Sequence, residues 1–116
     1  MAAVNGGCIW NWYSGVLTID HCTLSNNVAE QGSGGAVFNS GALTIDHSVV
    51  TGNTAGVDGG GIDNDSNSAS FPAQIEFSTV CGNSAPTGAD LYNNGSATVQ
   101  NSDICLIDGS GSLTKS

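Results

Sequence analysis

A unit of 24 to 30 residues recurs four times along this chain, and the recurrence limits the fold more than any other feature. The clearest copy reads Gly34-Gly35-Ala36-Val37-Phe38-Asn39-Ser40-Gly41-Ala42-Leu43-Thr44-Ile45-Asp46-His47. Other copies begin at Gly6, at Gly60 and, in degraded form, at Gly88. Aligned, they give apolar columns: Ile9, Val37, Ile62, Leu91; Leu17, Leu43, Ala73, Ala97; Ile19, Ile45, Ile75, Val99; and Leu24, Val50, Val80, Ile104. Within a copy these residues alternate with polar ones, as in Leu43-Thr44-Ile45-Asp46, which is the period of a strand and not of a helix. Strands this short, separated by non-hairpin turns, pair with their equivalents in the next copy instead of within their own. The expected fold is therefore all-β: a single-domain parallel β-helix of about four coils with three short parallel sheets. The coils span about 5–31, 32–58, 59–86 and 87–107, followed by a flexible tail over 108–116.

Two asparagine columns support the coiled arrangement. Asn27, Asn53 and Asn83 form one, and Asn11, Asn39, Asn64 and Asn93 the other. In-register stacking lets such side chains hydrogen-bond along the axis. Asn also tolerates the left-handed backbone of a sharp corner.

The run from Gly34 to Ala55 resembles the repeats of the right-handed parallel β-helix, or pectin-lyase-like, superfamily. It is most similar to the Gly-Gly-Ala-Ile and Phe-x-x-Asn repeats of polymorphic outer-membrane proteins and related large surface proteins. The resemblance covers roughly residues 5 to 107. It implies the right-handed coil and an extracellular or cell-surface setting, and it does not choose among lyases, hydrolases, adhesins and stalks. The lyases of that superfamily typically use Arg or Lys as base or charge clamp. Here Lys115 is the only basic residue, which argues against that chemistry.

Charge narrows the partners. Ten Asp or Glu against one Lys give a net charge of −9, so clustered basic side chains for nucleic acid or anionic lipid are absent from the sequence. No apolar run reaches the roughly 18 residues that span a bilayer, and no signal peptide is visible. Four cysteines allow two disulfides. Cys81 and Cys105 share a column on neighbouring coils and are expected to pair; the sequence does not say whether Cys8 and Cys22 meet.

Several groups of residues bear chemistry. Asp20, Asp46 and Glu76 stack on one outward column, either a solvated face or a site for a cation or a sugar. His21 and His47 follow the first two, and Phe77 takes the next place, which suggests a corner stack. Asp63, Asp65 and Asn67 resemble the start of a calcium loop but lack its Gly and its final Glu. Trp10, Trp12 and Tyr13 form a cap, an interface or a sugar-stacking platform. Interrupted threonine columns, such as Thr18, Thr44, Gln74 and Thr98, resemble an ice-binding face. Together these features lead to the expectation of a non-catalytic structural or binding module without a required cofactor. It would self-associate through its coil ends, with binding or hydrolysis of a neutral carbohydrate, or ice binding, as alternatives.

Overall fold

Alternation with period two puts every second side chain of a strand inward, and β-branched or aliphatic residues at those places favour extended backbone. A computed structural model of the chain, describing residues 6–12, 15–65 and 72–115, has this form. The first coil contains β1 (Ile9–Asn11), β2 (Val16–Asp20), β3 (Thr23–Ser25) and β4 (Val28–Ala29). The second contains β5 (Val37–Asn39), β6 (Ala42–Asp46), β7 (Val49–Thr51) and β8 (Thr54–Ala55). The third contains β9 (Ile62–Asn64), β10 (Ala73–Glu76) and β11 (Thr79–Val80), and the fourth β12 (Leu91–Asn93), β13 (Ser96–Gln100) and β14 (Asp103–Ile104). The chain closes with β15 (Ile107–Asp108) and β16 (Ser112–Lys115).

All strand pairs are parallel and join equivalent strands of successive coils. The first sheet runs β1-β5-β9-β12-β15, the second β16-β13-β10-β6-β2 and the third β14-β11-β7-β3. A small fourth sheet pairs β4 with β8, one more than the sequence leads one to expect. The register matches the sequence columns, for example Ile19↔Ile45↔Ile75↔Val99. The interior is built on an aliphatic core: Ile45, Ile62, Ile75, Leu91, Val50 and Val80 are fully buried.

One expectation needs correcting. Residues 112–115 do not form a tail but pair with β13, Leu113 beside Ala97 and Thr114 beside Thr98. The Gly-rich link at 109–111 hides the fact that Leu113 and Thr114 continue existing columns. Lys115 then falls in register with Val99, so a charge succeeds the aliphatic column at this edge. A charged residue at such a position opposes further strand addition.

Each coil turns sharply at left-handed residues, and these too form columns. Gly6, Gly34, Gly59 and Gly88 make one, and His21, His47, Phe77 and Asn101 a second. Asn26, Gly52 and Gly82 make the third. The ladder asparagines therefore do not supply the left-handed backbone; at the third corner that falls to the residue just before Asn27, Asn53 and Asn83. The second glycine of each pair has a different cause. A Cβ at Gly35 would run into the carbonyl oxygen of Gly60 in the next coil, and only glycine permits that approach.

Polar ladders hold the corners. Asn11 Nδ2 donates to Asn39 Oδ1 (2.8 Å), Asn39 to Asn64 (2.9 Å) and Asn64 to Asn93 (2.9 Å). Asn93 Nδ2 then donates to the Ser112 carbonyl. The second ladder runs from Asn27 to Asn53 to Asn83 and ends on the buried Asp90. A third was not anticipated: the N–H groups of Cys22, Ser48 and Ser78 donate in turn to the hydroxyls of Ser48, Ser78 and Ser102.

Asp90 terminates its ladder for a simple reason. Its Oδ1 accepts from the amide and side chain of Asn83, each at 2.9 Å, and its Oδ2 accepts from the Leu106 N–H at 3.0 Å. Donors converge from both sides, so only a group that accepts through both oxygens fits. The Asp90→Asn chain keeps the shape but turns an NH2 toward one of those donors. It is expected to lose on the order of 2 kcal/mol of stability, read as a lowered urea midpoint with an unchanged slope.

Candidate functional site

The strand that ends in an aspartate continues into a left-handed residue, and this local geometry builds the acidic column of the second sheet. Asp20, Asp46, Glu76 and Gln100 are in register. His21, His47 and Phe77, each at a φ near +50°, swing their rings out over that edge. The imidazoles stack with centroids 4.9 Å apart and planes 1° from parallel, and Phe77 extends the stack at 5.0 Å from His47. Each imidazole Nδ1–H donates to the carboxylate just before it, 2.7 Å for Asp20 and 2.8 Å for Asp46. Each of the two carboxylates is thus engaged by its own histidine.

Asp20, His21 and His47 bring ligand atoms within 4.8 Å, all of them exposed. The ring planes decide what this can do. An imidazole lone pair lies in its own plane, and parallel planes do not meet, so the stacked rings do not converge on one ion. The arrangement serves the corner first, and the four residues expected at a ligand site, Asp20, Asp46, Glu76 and His47, form an open column with no enclosing wall.

On the third sheet, Cys81 and Cys105 form the expected disulfide, with Cα atoms 5.1 Å apart. Cys8 and Cys22 are free and exposed. On the second sheet, β16 lengthens the threonine column to Thr18, Thr44, Gln74, Thr98 and Thr114, still interrupted by Gln74. A depression near its end is lined by Pro72, Ser96, Ala97, Thr98, Ser112 and Thr114, with no titratable side chain among them.

The first sheet carries a face that the sequence had not joined together. Register places Trp10, Phe38, Asp63, Tyr92 and Asp108 in one outward column. Trp10 and Trp12 are about half exposed, with rings 5.3 Å apart, and the Phe38 ring meets Trp10 edge-on at 6.0 Å. Trp10 therefore lies on the side of the solenoid and not over its end. Tyr13 and Asn67, named with these groups, lie outside the described residues. Asp63 belongs to the paired strand β9, and Asp65 follows directly after it. The adjoining Asp65 accepts from Asn94 Nδ2 at 3.3 Å.

Asp63 is the electrostatic anomaly of this face. It is only 4% exposed, flanked in register by Phe38 and Tyr92, and its Oδ1 has no hydrogen-bond partner among the described residues. Burial, then the charge of Asp65, and more weakly Asp58, push its carboxyl up to about 7, against a hydrogen bond from Ser33. Burial and Asp108 raise Asp58 as well. Tyr92 is raised by desolvation and by Asp58, Asp63, Asp108 and Asp65 together. The alignment of Phe38, Asp63 and Tyr92 was available in the sequence; the burial that gives Asp63 its character was not.

No family model, curated protein or solved structure matches the chain.

The linkage of Asp63 has a definite sign. The folded protein holds its proton up to about pH 7, whereas the unfolded chain releases it near the ordinary 3.8. Asp63 therefore removes stability as pH rises between those values and removes no more above them. The Asp63→Asn chain is expected to be more stable than the parent at pH 8, by on the order of 4 kcal/mol, and nearly equal to it at pH 4. Urea unfolding at the two pH values reads the difference.

Proposed function

We propose that this chain is a non-catalytic β-helix repeat module with a structural and binding role in an extracellular or cell-surface setting. The observation that carries this reading is the placement of its chemistry-bearing side chains. They stand in axial columns on open lateral faces, where a substrate would not be surrounded. Catalysis by acid and base needs groups that converge on one reacting atom. Asp20 and Asp46 are instead engaged by the histidines beside them.

The setting is supported by the disulfide, which joins neighbouring coils near the surface, where reductants of the cytosol would reach it. The likeness of residues 34 to 55 to surface-protein repeats agrees with it. Self-association through coil ends belongs to the same reading, because among the described residues β2 has a paired neighbour on one side only, whereas the β16 edge is guarded by Lys115.

Incubation with a panel of neutral polysaccharides is expected to release no new reducing ends. Release that disappears in Asp46→Asn would overturn the non-catalytic reading. Light scattering across a concentration range is expected to show a mass above that of one chain; a constant single-chain mass removes self-association from the proposal. Reduction of the disulfide closes off a third expectation: the bond spans 24 residues, and its loss should cost about 3 kcal/mol, read as a lowered urea midpoint in dithiothreitol.

A further inference from the structure

The outer face of the first sheet has one aromatic end and one acidic end. Trp10, Trp12 and Phe38 occupy the first two coils. Asp58, Asp63, Asp65 and Asp108 gather around Tyr92 in the later ones. Lys115, the one basic residue of the chain, is on the second sheet, so no ammonium or guanidinium of the first sheet answers these four acids. Asp63 adds a second, independent sign of an incomplete site: a buried carboxylate oxygen without a partner among the described residues, between two aromatic neighbours.

Geometry selects the ligand. No three of these carboxylates bring an oxygen each within 4.8 Å of one another, so a single metal ion is not what they surround. An extended cation is. Ammonium and guanidinium groups are attracted both to carboxylates and to the faces of Trp, Tyr and Phe, while their alkyl stems cover apolar surface. We propose that this face docks a Lys- or Arg-bearing segment of a partner protein, its cations shared between the Asp58–Asp63–Asp65 group and the rings of Trp10, Phe38 and Tyr92. The net charge of −9 draws such a segment from a distance, and the ribbon fixes where it rests.

Trp10 and Trp12 are the two tryptophans of the chain, so intrinsic fluorescence reports on this face. The probe is a short peptide of alternating Arg and Gly at low salt, with a Glu-Gly peptide and a neutral oligosaccharide as comparisons. The expected result is a saturable emission change with the Arg peptide alone. The Asp58→Asn/Asp65→Asn and Trp10→Ala chains should each weaken it at least about tenfold, close to 1.4 kcal/mol. The Asp20→Asn/Asp46→Asn chain, altered on another sheet, should bind as the parent does. Affinity should also rise as pH passes through about 7 in the parent, when Asp63 ionises, and not in Asp63→Asn. Circular dichroism confirms that each variant keeps its strands. Equal weakening by both double substitutions would overturn the proposal in favour of general attraction to an acidic chain. A response to the oligosaccharide alone, or to none of the probes, would overturn it as well.

Discussion

In-register stacking along the axis is the constraint on which everything else in this molecule rests. Strands of two to five residues have too few hydrogen bonds to persist alone, and each is held by its equivalent in a neighbouring coil, the inner ones on both sides. Once the register is set, every residue type is repeated at strand spacing, about 4.8 Å. Favourable contacts are then multiplied along a column, and so are unfavourable ones. Aliphatic columns fill the interior, and Asn and Ser columns satisfy the corner amides. Carboxylate columns must find partners beside them, as Asp20 and Asp46 do in His21 and His47.

Two buried aspartates show how context decides the sign of a charge. Asp90 lies where three N–H donors converge and accepts all of them. Asp63 lies between Phe38 and Tyr92 in register, with Ser33 as a donor and two further acids nearby, and one of its oxygens has no partner among the described residues. The same isosteric change to Asn therefore removes a needed acceptor in one place and an uncompensated charge in the other. The first residue closes the polar interior of the solenoid. The second leaves an uncompensated acid among the aromatic residues of the first sheet.

The sequence was legible wherever function of a residue follows from its column. Ile45 and Asn53 could be placed because their equivalents Ile75 and Asn83 repeat the same environment. The Ser48–Ser78–Ser102 ladder was equally periodic and was passed over because serine is common in turns. Asp90 could not be read this way: it stands where Ala36 and Gly61 stand in earlier copies, and its role depends on a chain that turns early from Ile104 into β15. Asp63 was misleading for a different reason. Its neighbours Asn64 and Asp65 give an alternating oxygen pattern, yet strand pairing had already assigned Asn64 to the interior and left the two acids on one outer face.

The asparagine ladders also have a direction. Each side-chain amide gives its proton to the coil that follows and takes one from the coil that precedes. In the first ladder every internal junction consequently presents the same donor above and the same acceptor below, whichever two copies meet there. Asn39 facing Asn64 is chemically the same joint as Asn64 facing Asn93. At this ladder the copies are interchangeable, so duplication or loss of one unit would leave the same Asn-to-Asn joint between the units on either side.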